Sequence, residues 1–586
     1  MSRNLALVPA LILAAFMSLT TAAGQTLPPA IQWIPQDALI VLEVSRPKEL
    51  IEAFTNDKAT AAITALPLYK QQASKPQFNE FLNIISFIET TLGTDWRTGL
   101  GKLTGAGITL AVCPEDTVLL IIDAEDDQML ERFHEFFFNI ARSEAEKKGK
   151  YNIVASKEYD GVTAWTFDGK EAHTIIGKRL VLSNRPEGLK AVLQRRSQAK
   201  NESLAANATY QAAKRTVGPD AIANAFVNLK PLIGLPQVAQ LFEQQHENPL
   251  AALAFAGIFE AARNSNWLAL GLHIEDSTLI FRASVDGKTA AQTSPAAFAL
   301  PKKPDEGALP NLTVPRQIAA LSLYRDLHQF YAAKDDLFPE RTSGLIFFEN
   351  MMGIFFSGRD LTEEVLAETE PEIRLVMAEQ QYDPAIGTTQ IKLPAFAVIL
   401  RLHHPEQFNE VAEEAWQKAL GLINFTRGQQ ALQGLIIDRS VHAGTKYSMA
   451  YFSTSGIDEK NNLELRFNIR PALAMPGEYL ILSSTDGLAR DLIDSLNQEM
   501  EHKVKPLAES NSLVEIETAQ LTSILKANRD TLVRGDMVKK GRTQEEAEAG
   551  IDMLITVVRL VDRAKLSLGT HEGLTRGRLE IKLNLQ

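Results

Sequence analysis

Residues 118–138 read VLLIIDAEDDQMLERFHEFFF, and residues 396–422 read FAVILRLHHPEQFNEVAEEAWQKALGL. Each stretch opens with an apolar run, passes through a short polar turn and continues with apolar residues three and four positions apart. This order predicts a buried strand, a turn and an amphipathic helix. The same unit found twice in one chain indicates an internal duplication.

The sequence on both sides of these two units matches as well, and in the same order. Each unit is followed by a hairpin, with turns at 160–161 and 443–444, and then by a strand and a helix that open with RLVLS at 179–183 and YLILS at 479–483. Segments further out also correspond: 93–95 with 358–360, 108–110 with 373–375, 225–232 with 513–521, 267–285 with 564–585 and, more weakly, 35–44 with 315–324.

Alternating strand patterns and amphipathic helices in both copies predict an α+β fold built as a tandem duplication. We expect each half to form an antiparallel sheet with amphipathic helices packed mainly on one face. Helical spacing marks 129–140 and 551–561, and strict alternation predicts a strand at 463–469, LELRFNI.

The predicted boundaries divide the chain into four parts. These are a leader at 1–24, a first α+β repeat at 25–287, an Ala/Pro-rich linker at 288–312 and a second α+β repeat at 313–586. More than one core is also expected from the length, because 586 residues exceed what a single hydrophobic core usually serves.

Charge and cysteine content narrow the function. The chain has 60 Lys and Arg against 72 Asp and Glu, a formal charge of −12, so nucleic acid is an unfavourable partner. A single cysteine, Cys113, excludes an internal disulfide framework and a multi-cysteine metal site. Because Cys113 ends an apolar run, we expect a buried and inert thiol.

The first 24 residues have the composition of a secretory signal peptide. Arg3 gives a positive start, 5–17 is apolar and too short to span a bilayer, and small residues follow it. We expect cleavage near Ala23 or Gly24 and an extracytoplasmic mature protein, periplasmic or secreted, without a transmembrane helix. An uncleaved N-terminal anchor is the alternative.

Several local motifs resemble a family of exported bacterial proteins catalogued only as a domain of unknown function. The resemblance is carried by the opening 34–42, IPQDALIVL, by the Gly-x-Asp step before a strand, by the hairpin 159–162 and by the Leu-Ser…Gly-Leu strand–helix step. It implies an exported bacterial protein and no catalytic residue. In the second half Tyr159-Asp160 is replaced by His442-Ala443, so the resemblance is firmer for the first half.

The candidate catalytic, cofactor-binding and metal-binding motifs are incomplete or have a simpler structural explanation. Ser-x-x-Lys pairs at 197–200 and 523–526 lack the companion elements of that enzyme class. Adjacent histidines His403 and His404, with His442 in the same half, are better explained by a solvated turn than by a metal site. Two aspartates shared by the halves, Asp95 and Asp360, are expected to cap helices.

The remaining unusual segment is 344–356, GLIFFENMMGIFF. A core helix explains it most simply, and the alternative is an adaptable apolar face for a lipid-like ligand or a partner. The residues of that candidate face are Phe347, Phe348, Met351, Met352, Phe355 and Phe356.

The sequence therefore favours an exported, noncatalytic binding or scaffolding protein that needs no cofactor. Its expected partner is a protein or an apolar ligand of the cell envelope. Two alternatives stay open: a carrier of a lipid-like ligand, with a cavity lined by Phe and Met, and a hydrolase with an unrecognised site.

Overall fold

The computed structural model of the protein describes residues 27–584, apart from scattered positions between 66 and 92, the segments 148–153, 198–201, 236–247, 288–295 and 339–340, and positions 160, 168, 304, 458 and 509. The predicted leader with its cleavage site, the start of the predicted linker and Asp160 lie outside the described residues.

The described strands all belong to one antiparallel sheet. In chain order they are β1 Ile40–Val44, β2 Gly107–Cys113, β3 Thr117–Asp123, β4 Val154–Tyr159, β5 Val162–Phe167, β6 Glu171–Ile176, β7 Arg179–Ser183, β8 Ala223–Asn228, β9 Trp267–Glu275, β10 Thr278–Val285, β11 Gln317–Tyr324, β12 Thr369–Ala378, β13 Ala395–Leu402, β14 Ile436–His442, β15 Thr445–Tyr451, β16 Ala472–Ala474, β17 Tyr479–Ser483, β18 Ser512–Glu517, β19 Val561–His571 and β20 Leu574–Leu583.

Helices connect and cover these strands. In chain order they are α1 Pro47–Thr55, α2 Asp57–Ala65, α3 Trp96–Thr104, α4 Asp127–Lys147, α5 Pro186–Ser197, α6 Ala208–Val217, α7 Leu229–Ile233, α8 Pro249–Arg263, α9 Leu327–Ala332, α10 Lys334–Leu337, α11 Thr342–Phe355, α12 Pro405–Gln429, α13 Asp486–His502, α14 Thr518–Ala527, α15 Arg529–Lys540 and α16 Gln544–Arg559. The architecture is thus α+β, as the alternating patterns predict. No described helix combines the length and apolarity that a membrane crossing requires.

Pairing registers give the spatial order of the strands. The order is β4-β5-β6-β7-β3-β2-β1-β8-β9-β10-β20-β19-β18-β11-β12-β13-β17-β16-β15-β14. Antiparallel pairing of β10 with β20 joins the N-terminal half (27–287) to the C-terminal half (296–584), with Phe281 opposite Leu579 and Arg282 opposite Arg578. The two halves therefore share one continuous sheet.

One face of the sheet, called here the core face, is densely packed in both halves. In the N-terminal half it carries Val41, Ala111 and Ile121, each at most 1% exposed, beneath side chains of α5 and α6. In the C-terminal half, Ile399 and Ile481 pack beneath α13. The main hydrophobic cores lie on this face.

The other face, called here the open face, is covered by helices at its two ends. At the N-terminal end, Leu103 of α3 and Leu130 of α4 pack on Leu180. At the C-terminal end, Phe408 of α12 packs with Leu402 and Leu480, and residues of α11 join them. Helices thus contact both faces, and the expectation that they lie mainly on one face is not confirmed.

Local expectations have mixed outcomes. Both hairpins form, and α4 covers the predicted helix at 129–140. The strand predicted at 463–469 is wrong: Leu463 makes only an isolated bridge, and Leu465–Asn468 is a 3-10 turn. The buried Asn468 amide donates to the carbonyls of Ile391 and Leu465, which holds this segment as a loop.

The segment that follows the N-terminal half is packed where it is described. Phe298 and Ala299 are 1% exposed and lie in a cluster with Ala252 of α8 and Phe330 of α9. The guanidinium of Arg325 donates to the carbonyl oxygens of Leu253 and Ala254 in α8 at 2.7 and 2.8 Å. The halves are therefore tied by side-chain contacts as well as by β10 and β20.

Candidate functional site

The middle of the open face is apolar across both halves. Directly opposite residues of an antiparallel pair point to the same face, so the registers define which side chains share it. Two neighbouring rows of residues cross the strands on this face. The first row is Leu42, Ala225, Leu270, Ala283, Gly577, Leu568 and Ser512. The second row is Leu272, Phe281, Leu579, Leu566, Val514, Leu321 and Leu375.

Apart from Ser512, which is 3% exposed and hydrogen-bonded to Arg325, these open-face residues are partly or largely accessible. Leu42, Leu270 and Phe281 are 39–41% exposed, although their strands lie in the interior of the sheet. Their neighbours on the core face behave differently, since Val41 and Ile280 are at most 2% exposed. Half-exposed Leu and Phe side chains in mid-sheet form the kind of contiguous apolar patch that marks a binding surface.

Helix α11 lies at the C-terminal end of this face and presents two kinds of side chain. Phe347 and Ile354, one heptad apart, are each 69% exposed. Met352 and Phe356 pack on the cluster that contains Phe408. The helix therefore has one face in the core and an exposed apolar stripe.

The sequence-predicted residues of 344–356 are split between these two environments. Phe347 and Phe348 are exposed, and the ring of Phe348 lies 6.4 Å from that of Tyr331. The other four residues, Met351, Met352, Phe355 and Phe356, are half-buried. Both readings of the segment, core helix and apolar surface, thus describe part of it.

The histidines singled out in the sequence do not converge. Each pairs with a different carboxylate. The Nδ1 atom of His403 lies 2.8 Å from a Glu370 carboxylate oxygen, and that of His404 lies 3.0 Å from a Glu368 oxygen. The Nε2 atom of His442 lies 2.8 Å from an Asp494 oxygen. Within the residues that the structure describes, no group of three or more His, Cys, Asp or Glu side chains is arranged to hold a metal ion.

Other candidates occupy structural positions. Asp95 accepts a hydrogen bond from the backbone N–H of Thr98, and Asp360 accepts from those of Thr362 and Glu363, as predicted for caps. The hydroxyl of Ser523 donates to Glu379 at 2.8 Å, and Lys200 lies outside the described residues. Cys113 is 4% exposed, and burial raises the pKa of its thiol to about 11, which favours an unreactive protonated thiol.

Sequence reasoning missed the open face because no single segment contains it. Alternation in β9 and β20 indicates that each strand has an apolar side, which is a local signal. Which strands lie beside one another is set by pairings between distant segments, such as Leu42 with Leu110 and with Ala225. The continuity of the patch follows only from those pairings.

Comparisons with known proteins give a family and little else. A family model described as a protein of unknown function, DUF3352, matches residues 5–333. No curated protein matches the chain. Solved structures of TP0453 are similar at a low level: crystal form III is 11% identical, with 47% of this chain and 85% of that chain covered and a TM-score of 0.24. Crystal form IV is 10% identical, with 44% of this chain and 81% of that chain covered and a TM-score of 0.23. Similarity at this level does not establish a shared fold.

Proposed function

This chain belongs to the DUF3352 family of proteins of unknown function, and we propose that it is an exported, noncatalytic binding protein that holds an apolar, lipid-like ligand on its open face. The observation that carries the proposal is the half-exposure of Leu42, Leu270 and Phe281 in the middle of a sheet. A ligand with an acyl chain would cover these three side chains and would remove few polar groups from water.

The size of the apolar patch allows weak and reversible binding. A ligand that covers about 300 Å² of apolar surface, a typical patch size, gains roughly 7 kcal/mol of binding free energy at about 25 cal/mol per Å². Ordering of ligand and protein offsets part of this. A cost of about 4 kcal/mol, the low end for association, leaves roughly 3 kcal/mol, which corresponds to millimolar affinity for one chain and suits a carrier that also releases its ligand.

Helix α11 supports the same function from the border of the face. Its exposed Phe347 and Ile354 extend the apolar surface, and its Met351 and Met352 are unbranched and adapt to irregular contacts. We assign the six residues of the sequence-predicted face to this border: Phe347, Phe348, Met351, Met352, Phe355 and Phe356.

The proposal includes export and duplication. The leader composition of residues 1–24 supports cleavage near Ala23 or Gly24 and an extracytoplasmic location. The mirrored strand order about the β10–β20 junction supports a tandem duplication. Matching the hairpin turns at 276–277 and 572–573 makes Arg282 and Arg578 equivalent, and these two residues lie opposite each other, as a pseudo-two-fold axis between the halves requires.

Fluorescent fatty-acid binding to the mature protein tests the proposed ligand. We expect saturable binding that weakens at least tenfold in Leu42→Asp and Phe281→Asp, because each variant sets a charge in the apolar face. Val538→Asp is the matched control, since Val538 is 85% exposed on α15 and lies outside the sheet. An absence of saturable binding, or equal binding by all variants, contradicts the proposal.

A protein that covers the same face is the competing occupant. Cross-linking in the native envelope fraction, through a photoreactive residue at position 270, separates the two cases. A lipid-sized adduct supports the carrier, and one stable protein adduct with no lipid adduct favours the scaffold.

A further inference from the structure

The C-terminal half contains a polar groove that the apolar ligand does not require. It has a volume of about 1060 Å³ and lies between α12 and the ends of β14–β16. One wall is the helix surface from Pro405 to Gln417, and the other includes Arg439, Val441 and Lys446. Volumes of this size are typical of small-molecule sites.

The matching space in the N-terminal half is filled. There, between α4 and β5–β6, the rings of His134, Phe138, Trp165, Phe167 and His173 pack with centroids 4.4–5.8 Å apart. The groove is therefore a difference between the halves and not a general feature of the fold.

Strand registers identify the side chains that make the difference. His173 lies opposite Leu182, and Leu473 lies opposite Leu482, in the matched segments RLVLS and YLILS. One strand further, Trp165 lies opposite His173, and Ser448 lies opposite Leu473. A tryptophan is thus replaced by a serine at the position that borders the groove.

The helix also differs between the halves at the matched position. His134 is the eighth residue of α4, and Ala412 is the eighth residue of α12. Ala412 is 7% exposed and packs in the buried cluster with Phe408 and Leu480. The space of the groove therefore comes from the sheet side, where Ser448 stands in place of Trp165. Because the space is open to water and has polar walls, it is suited to a polar ligand.

The groove carries an uncompensated negative charge. Its lining has four carboxylates against two cations: Glu406, Glu410, Glu413 and Glu414 against Arg439 and Lys446. The carboxylate of Glu413 accepts hydrogen bonds from Ser448 and Arg439, each at 2.9 Å. Although burial opposes ionisation, hydrogen bonds from Gln417, Arg439 and Ser448 lower the pKa of Glu413, so this carboxylate is charged.

The other two acidic positions are available to a ligand. Glu414 pairs with Lys418 at 3.0 Å, whereas neither Glu406 nor Glu410 forms an ion pair within the described part of the chain. They lie four residues apart on one face of α12 and so border the same part of the groove. Apolar contacts for a methylene chain are provided by Leu473 and Met475 on the facing wall.

We propose that this groove binds a ligand with a primary ammonium or guanidinium group on a short methylene chain. Glu406 and Glu410 would pair with the cation, and Leu473 with Met475 would contact the chain, as apolar surfaces do with lysine stems. A free polyamine and a lysine or arginine side chain of a peptide share this chemistry. The site is separate from the apolar ligand of the open face.

Calorimetric titration of the mature protein with spermidine and with an acetylated, amidated Gly-Lys-Gly-Lys-Gly peptide tests the proposal. We expect saturable binding of at least one probe. The Glu406→Gln/Glu410→Gln variant should bind about 2- to 30-fold more weakly, since two exposed ion pairs are lost. Val441→Trp should also weaken binding, because the indole fills the groove without changing its charge.

Glu501→Gln/Glu545→Gln is the matched control, as both residues are exposed glutamates on other helices. It should bind as the unaltered protein does. Binding of spermidine alone assigns the site to small amines, and binding of the peptide alone assigns it to protein side chains. Unchanged binding in both groove variants, or no binding of either probe, overturns the inference. Fatty-acid binding by the same variants should stay unaltered, so the two sites are tested independently.

Discussion

Acidification should weaken the N-terminal half through one buried histidine pair. His173 Nε2 lies 3.0 Å from His134 Nε2, within the aromatic cluster that includes Trp165 and Phe167. In the neutral pair, one ring donates its N–H to the other. His173 is 4% exposed, so protonating its ring would place a cation in this apolar cluster.

The size of the effect follows from the pKa of His173. Burial and the neighbouring His134 lower it from 6.5 to about 4. A histidine whose pKa is depressed by folding contributes stability above pH 6.5, and this contribution is lost as the pH falls towards 4. At pH 4.5 the loss is about 2.5 kcal/mol, and the full difference is about 3 kcal/mol.

Urea unfolding at pH 7.5 and 4.5, followed by tryptophan fluorescence, measures this loss. His173→Leu, which introduces the residue found at the matching position 473, should reduce the difference in unfolding free energy between the two pH values by about 2 kcal/mol. His404→Gln is the control, because His404 lies at the surface. If His173→Leu and the unaltered protein lose equal stability on acidification, the reasoning is refuted.

Three further predictions concern other parts of the fold. Arg374 is 1% exposed and pairs with Glu499 at 2.6 and 2.7 Å, so Arg374→Met should cost about 3–5 kcal/mol in urea unfolding. Lys48→Met, at a pair in which Lys48 and Glu125 are both exposed, should cost less than about 1 kcal/mol. Asp360→Ala should cost about 1 kcal/mol by thermal unfolding, because two backbone N–H groups lose their acceptor. Cys113 should react with a disulfide reagent at pH 8 only after unfolding, since its pKa is raised to about 11; a fast reaction of the folded protein would contradict this.

Features decided by neighbouring residues could be predicted from the sequence. The cap at Asp360 depends on the backbone N–H groups of Thr362 and Glu363, two and three positions later. The hairpin between β14 and β15 depends on a turn at Ala443 and Gly444, where φ is 44° and 80°. Such turns favour small residues and glycine, so a few letters are enough to predict them.

Features decided by distant residues could not be predicted. The alternation of 463–469 is typical of a strand, yet Asn468 hydrogen-bonds Tyr382 and Thr389, which lie about eighty positions earlier. Those bonds fix the segment as a loop. The groove was missed for the same reason, because replacing Trp165 by Ser448 matters only once α12 lies above the strand.

The open face depends on the register between the two halves. With Phe281 opposite Leu579, the apolar rows of both halves lie on one side of the sheet. A shift of one residue would bring Phe281 opposite Arg578 or Glu580 and would interrupt the apolar surface at its centre. Each half alone would also expose β10 or β20 as an unpaired edge strand, which favours aggregation. Joining the halves through these strands therefore removes two edges and doubles the length of the apolar face.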